Sequence, residues 1–147
     1  MTAYVVDAST AVKLYLTEPL STEATALFGL LVANPPIELN VPDLFYAECA
    51  NIFWKSTKRG TCTAAEAVTF DASLRALPLF RTPTFDLTAT ALPIALTHHI
   101  SAYDACYVAL ARRLGVPLIT ADQKLMAKLA GTPLAPIWLG AWAPPIP

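Results

Sequence analysis

The chain has 147 residues, of which 55% are hydrophobic and 14% are charged, and its formal net charge is −1. This length suits one globular unit with a continuous core, so we expect a single domain over residues 1–147. The near-neutral charge excludes a general attraction for nucleic acid, so a polyanion would have to be held by local basic groups or by metal ions.

The chain begins with a short apolar run that predicts a buried strand. Residues 3–6 are AYVV, and the run ends at Asp7. Ser9 and Thr10 follow, and both are acceptable N-caps for a helix. The sequence therefore predicts a strand that leads directly into a helix, with an acid between them.

Helices and strands alternate through the middle of the chain. Asp43 can cap a helix that Gly60 ends, and Pro93 is expected to kink or end the helix that contains it. Apolar residues recur at helical spacing in the longer segments, and short apolar runs separate them. The predicted helices cover residues 21–33, 43–58, 63–77 and 86–98, and the predicted strands lie near residues 37–41 and 79–82.

The clearest helix covers residues 101–114, because Ser101 can cap its start and Gly115 can end it. A strand at 117–120 follows, then Asp122, a helix at 123–130 and a strand near 135–139. Such an alternation predicts an α/β fold with a parallel sheet covered on both faces. The tail AWAPPIP is expected to be irregular and docked through Trp138 and Trp142.

Two classes of protein are not supported. The longest uncharged stretch, residues 129–147, contains five prolines and cannot form a membrane-spanning helix. The start of the chain lacks the basic segment of a secretory signal, so we expect a cytoplasmic protein with no membrane contact.

The three cysteines are odd in number and far apart, which indicates buried free thiols: Cys49, Cys62 and Cys106.

Four acids are expected to meet at one edge of the sheet. Asp7 and Asp122 follow strands, whereas Glu48 and Asp104 lie near the starts of helices. The carboxyl ends of parallel strands form the usual ligand site of such sheets. Crowded carboxylates repel unless a cation neutralises them, and Mg²⁺ or Mn²⁺ prefers oxygen ligands. Such a site suits metal-assisted hydrolysis of a phosphodiester.

Three of these acids also have an ordinary structural explanation. Asp104 stands three residues after Ser101, which matches a capping box, and Asp122 could be only the N-cap of the next helix. Glu48 could be a solvated surface residue. Asp7 is harder to explain in this way, because a charge at the end of so apolar a strand needs a partner or an ion.

Several polar residues near these acids have two interpretations. Ser9 and Thr120 could hydrogen-bond the acids or bound water, or could serve only as caps. His98 and His99 fall at a predicted helix end, where a surface role is commoner than metal binding or catalysis.

Tyr103 and Tyr107 share a helix face, which is more typical of core than of base stacking. The basic residues are grouped and could hold RNA phosphates, although a solvated face is the commoner role. They are Lys55, Lys58, Arg59, Arg112, Arg113, Lys124 and Lys128.

The sequence resembles the PIN-domain family, and in particular the VapC toxins of bacterial toxin–antitoxin pairs. Four segments carry the resemblance, occur in the family's order and span nearly the whole chain. They are VVDAST at 5–10, PDLFYAECANIFWK at 42–55, SAYDACYVALARRLG at 101–115 and LITADQKL at 118–125.

The resemblance implies a three-layer α/β/α sandwich with a mainly parallel sheet of four to five strands. It also implies a Mg²⁺- or Mn²⁺-dependent endoribonuclease that acts as the toxin of a type II toxin–antitoxin pair. The metal would be held by Asp7 and Asp104, helped by Glu48 and Asp122, with Ser9 and Thr120 beside them. The implied partners are RNA, a VapB-like antitoxin and a second copy of the chain, with no direct DNA binding by this chain.

The same residues also bear on three alternative functions. A haloacid-dehalogenase-type phosphatase needs a second aspartate two residues after the first, where this chain has Ser9. A phosphoacceptor receiver domain needs an acidic pair and a late lysine that are not evident. A catalytically silent PIN-fold binding or dimerisation module remains open, although all four acids are present.

Overall fold

The computed structural model describes residues 2–146. Its sheet has five parallel strands in the order β3-β2-β1-β4-β5. These strands confirm the predicted parallel sheet, with bounds within about two residues of expectation. They are β1 (Ala3–Val6), β2 (Glu38–Pro42), β3 (Phe80–Thr82), β4 (Leu118–Thr120) and β5 (Ile137–Trp138).

Helices connect the strands and pack against the sheet, which gives the α/β/α fold. They are α1 (Ala8–Ala11), α2 (Ser21–Gly29), α3 (Leu44–Lys58), α4 (Ala64–Arg75), α5 (Thr88–His98), α6 (Ala102–Leu114) and α7 (Gln123–Leu129). Single 3-10 turns follow α1 and α2, precede α5 and follow β5.

The order of the strands places a switch point between β1 and β4. The chain runs outward from β1 through β2 to β3, and then returns to pair β4 with the other side of β1. In open α/β sheets, the loops diverge at this point and leave a crevice at the carboxyl ends of the two strands. We call this edge of the sheet the rim, and Asp7 and Asp122 lie on it.

The core holds the two strands at the switch point firmly. Val5, Val6 and Ile119 are fully buried, and the buried apolar side chains form a continuous cluster that includes Phe45 and Leu110. Burying apolar surface contributes about 25 cal/mol per Å² to folding, so the burial of these side chains stabilises the strands that carry the rim.

Helix α6 is bounded as its sequence predicts. The Ser101 hydroxyl accepts a hydrogen bond from the Asp104 amide at 3.0 Å. Gly115 ends the helix with φ of 65°, a left-handed conformation that costs glycine little. The seven consecutive residues 105–111 are buried, so α6 lies between the sheet and α5.

Several local predictions are wrong. Helix α5 continues through Pro93 and ends at His98, so Pro93 does not end the first half of this helix, which was one of the two outcomes expected. The predicted helix 21–33 ends as an α-helix at Gly29 and closes with a 3-10 turn. Cys49 and Cys106 are buried free thiols, as expected, but Cys62 is only partly buried.

Asp43 occupies the N-cap position of α3 without capping it. Its carboxylate instead accepts hydrogen bonds from the Thr84 amide at 2.8 Å and hydroxyl at 2.6 Å. The Thr84 hydroxyl accepts in turn from the Leu44 amide at 3.1 Å. These contacts lower the pKa of Asp43, because they favour the ionised carboxylate. The pair ties the start of α3 to the segment after β3, which the sequence could not indicate.

The C-terminal tail is docked on the sheet through Trp142. Its ring meets the Tyr4 ring edge-on, with 6.5 Å between the centroids. Trp138 lies in β5 and not in the irregular tail, so Trp142 is the tryptophan that docks the tail.

Met1 and Pro147 lie outside the described residues. None of the helices in residues 2–146 has the length and apolar character that crossing a membrane requires.

Candidate active site

Asp7 is the buried centre of the site, with only 4% of its surface exposed. Its Oδ1 accepts from the Ser9 hydroxyl at 2.6 Å and from both the amide and the hydroxyl of Thr10 at 3.1 Å. Its Oδ2 accepts from the Thr120 hydroxyl. Asp7 is itself the N-cap of α1, so the expectation that Ser9 or Thr10 caps this helix is wrong.

Ser9 and Thr120 link Asp7 to the loop after β4. The Ser9 hydroxyl accepts from the Ala121 amide at 3.1 Å, and the Thr120 hydroxyl accepts from the Asp122 amide at the same distance. Each hydroxyl therefore donates to one oxygen of Asp7 and accepts a backbone N–H from the loop that follows β4. This arrangement fixes the Asp7 carboxylate and the start of the Asp122 segment relative to each other.

Glu48 reaches the site from the second turn of α3 and is half-buried. Its Oε1 accepts a hydrogen bond of 2.5 Å from the Tyr107 hydroxyl on α6. Burial raises the pKa of Glu48, the Tyr107 hydrogen bond lowers it, and repulsion from Asp104 and Asp7 raises it further. Glu48 is therefore close enough to two other acids to feel their charge, which excludes a purely solvated surface role.

Asp104 lies in the first turn of α6 and faces the same crevice. Burial and the charges of Asp122 and Asp7 raise its pKa to about 6, with a smaller opposing effect from the Ser101 hydroxyl. A carboxyl whose pKa approaches neutrality is typical of a functional site. The helix cap at Ser101 and the placement of Asp104 at the rim therefore coexist.

Asp122 is both the N-cap of α7 and a member of the acidic group. Its Oδ1 accepts from the amides of Lys124 at 2.9 Å and Leu125 at 3.1 Å. The capping alternative is thus correct, and it uses one oxygen of the carboxylate. The structure brings Asp7, Glu48 and Asp104 to the same rim as Asp122, from four separate elements.

Within residues 2–146, none of the four carboxylates forms an ion pair with a lysine, arginine or histidine. The ion pair of this part of the chain joins Lys13 to Glu18 and involves none of the four acids. Burial also raises the pKa of Asp7, since it disfavours the ionised form more than the four donors stabilise it. Like charges gathered in a partly buried crevice are costly, and a hard cation relieves that cost.

The donor set fits a hydrated ion better than a fully enclosed one. In the described part of the chain, no three acidic, histidine or cysteine side chains are close enough to surround a metal by themselves. Mg²⁺ commonly keeps several waters and uses only one or two carboxylates of the protein. Oxygen-only donors around an open crevice match that requirement.

Tyr107 is the site residue that was missed. It was expected to share a core face with Tyr103, but Tyr103 is 65% exposed whereas Tyr107 is 1% exposed. Tyr107 follows Asp104 by three residues, so the two share a helix face. This spacing was a signal in the sequence that Tyr107 lies near the site. Thr10 was likewise predicted only as a helix cap.

The other candidates lie away from the acids or on the surface. His99 ends α5 in a left-handed conformation and is exposed, in keeping with a surface role. Among the basic residues, Lys124 lies two positions after Asp122, and its backbone amide donates to the Asp122 carboxylate. Lys58 lies over the ring of Trp54 at 4.5 Å from its centroid, on the outer surface of α3.

Known proteins resemble the chain over nearly its whole length. The PIN-domain family matches residues 4–131. Ribonuclease VapC3 of Pyrobaculum aerophilum is 34% identical over 128 residues, which are 84% of this chain and 92% of the relative.

Two solved structures share the fold. The crystal structure of PAE2754 from Pyrobaculum aerophilum has a TM-score of 0.68 at 24% identity, over 95% of this chain and 85% of that one. A toxin–antitoxin complex from Klebsiella pneumoniae has a TM-score of 0.60 at 16% identity, over 90% of this chain and 94% of that one. With the family match and the relative's identity, these findings show that the chain belongs to the PIN-domain family and resembles its VapC members.

Proposed function

We propose that the chain is a Mg²⁺-dependent endoribonuclease that acts as the toxin of a type II toxin–antitoxin pair, with Mn²⁺ able to replace Mg²⁺. The observation that carries the proposal is the convergence of four acids at the switch point of the sheet, where no cationic group of residues 2–146 pairs with them. Ribonuclease VapC3 supports RNA as the substrate, because it is 34% identical to this chain.

The ion would be held by Asp7 and Asp104, with Glu48 and Asp122 directly or through water. Asp7 is fixed by its four donors, so it supplies a carboxylate that does not need to reorganise when the ion binds. When bound, the metal lowers the pKa of an attacking water and neutralises charge on the scissile phosphate.

The protein side chains would complete the hydrolysis. Tyr107 contacts one oxygen of Glu48, and two backbone amides contact one oxygen of Asp122. The second oxygen of each carboxylate is available to orient a water or to accept its proton. Lys124, at the start of α7 and two residues after Asp122, would supply a positive charge for the RNA backbone.

The proposed protein partners are a VapB-like antitoxin and a second copy of the chain. The Klebsiella pneumoniae structure of the same fold is a toxin–antitoxin complex, which supports the antitoxin. Exposed apolar side chains on and beside α5 support a protein interface: Phe85, Leu92 and Leu96 are 89%, 54% and 69% exposed. Light scattering of the purified chain tests the homodimer, and a monomer at micromolar concentration would contradict it.

RNA cleavage by the purified, antitoxin-free chain tests the activity. We expect cleavage with Mg²⁺ or Mn²⁺ and none after EDTA, and Asp7→Asn should abolish cleavage because it removes a proposed ligand. Glu38→Gln, at the opposite end of β2, is the matched control and should cut normally. Undiminished cleavage in EDTA would reject the metal, and a folded wild-type chain that cuts no RNA would favour a silent binding module.

A further inference from the structure

Tyr107 is a buried polar side chain that joins two helices of the site. It lies on α6 three residues after Asp104, and 1% of its surface is exposed. Its hydroxyl donates to Glu48 Oε1 on α3 at 2.5 Å. The phenol therefore spans the gap between the helix that carries one acid and the helix that carries another.

The hydroxyl is not needed to fill space, because the ring already belongs to the apolar core. Its contribution is the contact with Glu48. A free glutamate side chain samples several rotamers, and its terminal torsion is broad. A short hydrogen bond to one carboxylate oxygen restricts that torsion and gives the second oxygen a defined place relative to Asp104 and Asp7.

We propose that Tyr107 is a positioning residue that holds the Glu48 carboxylate in its metal-binding orientation. This inference rests on the proposed function, since it assumes that the acids bind a divalent ion. Tyr107 itself touches neither the ion nor RNA in this proposal. Removing the Tyr107 hydroxyl should weaken metal binding only because the Glu48 carboxylate is then no longer held in place.

Calorimetric titration of Mn²⁺ into the antitoxin-free chain, without RNA, tests the proposal. Loss of a side chain that orients a metal ligand costs about 10- to 100-fold in metal affinity, and we expect Tyr107→Phe to show a loss of this size. Tyr103→Phe is the matched control, because it removes an exposed hydroxyl one turn earlier on the same helix. It should leave the Mn²⁺ dissociation constant unchanged.

A double-mutant comparison separates positioning from a general structural effect. Glu48→Gln removes the charge that Tyr107 is proposed to orient, so adding Tyr107→Phe to it should not weaken Mn²⁺ binding further. A merely structural role would weaken Mn²⁺ binding equally in both backgrounds and would overturn the proposal. Wild-type affinity in Tyr107→Phe would also overturn it, whereas a wild-type chain that binds no Mn²⁺ would overturn the proposed metal dependence as well.

Proton NMR of the wild-type chain gives a test that does not depend on the folding of Tyr107→Phe. A buried hydroxyl in a short hydrogen bond to a carboxylate should give a slowly exchanging low-field resonance. We expect this resonance to move when Mg²⁺ is added and to shift upfield in Glu48→Gln. A wild-type spectrum without it, or a resonance indifferent to Mg²⁺, would refute the coupling between Tyr107 and the metal site.

Discussion

Replacing Asp104 by asparagine should stabilise the metal-free protein at pH 8 and remove most of its response to metal. The pKa of Asp104 is raised from 3.8 to about 6, chiefly by burial and by the charges of Asp122 and Asp7. The folded chain therefore holds this proton more tightly than the unfolded chain. The resulting stability is present below pH 3.8 and is lost as the pH rises through about 6.

The size of the effect follows from the shift. A rise in pKa from 3.8 to about 6 corresponds to about 3 kcal/mol in the free energy of unfolding, because a pKa change of one unit corresponds to about 1.4 kcal/mol. Asp104 is partly exposed, and solvent screening reduces this to about 1–2 kcal/mol. Asparagine does not ionise, so Asp104→Asn should melt about 3–6 °C above the wild type at about pH 8.

Thermal melting with and without Mn²⁺ measures both parts of this prediction. At about pH 3 the two proteins should melt within about 1 °C of each other, because the wild-type carboxyl is then largely protonated in both the folded and the unfolded state. Mn²⁺ at about 100 times its dissociation constant should stabilise the wild type by about 3 kcal/mol and the variant much less. Glu38→Gln removes the same charge far from the rim and controls for net charge.

Two results would refute this reasoning. A variant that melts below the wild type at pH 8 would mean that Asp104 contributes a stabilising contact rather than a repulsive charge. A melting difference that is independent of pH would mean that ionisation of Asp104 is not the cause.

Two further predictions concern the same site. RNA cleavage at subsaturating Mn²⁺ should decline as the pH falls through about 6, because protonated Asp104 cannot bind the ion. Saturating Mn²⁺ should move this decline to lower pH. A cleavage rate that does not change with pH between about 5 and 8 would contradict this prediction. Thr120→Val removes a donor to buried Asp7 and the acceptor for the Asp122 amide, so the free energy of unfolding should drop by about 1–3 kcal/mol in chemical denaturation. Thr90→Val, an exposed change on α5, should stay within about 0.5 kcal/mol of the wild type, and equal effects of the two variants would argue against the hydrogen-bond network.

The fold was accessible from the sequence because its signals are local and repeated. Apolar runs such as AYVV and PLIT mark strands, and Ser101 and Gly115 mark the ends of α6. The alternation of such elements leaves a parallel sheet as the simple solution. Local signals failed where a distant contact decided the outcome, as at Asp43, whose carboxylate is used by Thr84.

The acids could be selected from the sequence because a strand end or a helix start is a local property. Capping and site membership were treated as alternatives, yet Asp122 caps α7 with one oxygen and still lies among the acids. Only the tertiary structure could show this, since a carboxylate has two oxygens and the fold decides what each one meets.

The sequence by itself determined the order of the strands and helices and the residues that end at the rim. The tertiary structure decided which strand ends become neighbours, because pairing β1 with β4 joins residues more than 100 positions apart. It also decided that Tyr107 turns inward to Glu48 while Tyr103, one turn away, remains exposed. Helical spacing gives two residues the same face, but the packing of α5 and the sheet against α6 sets how much of that face is covered.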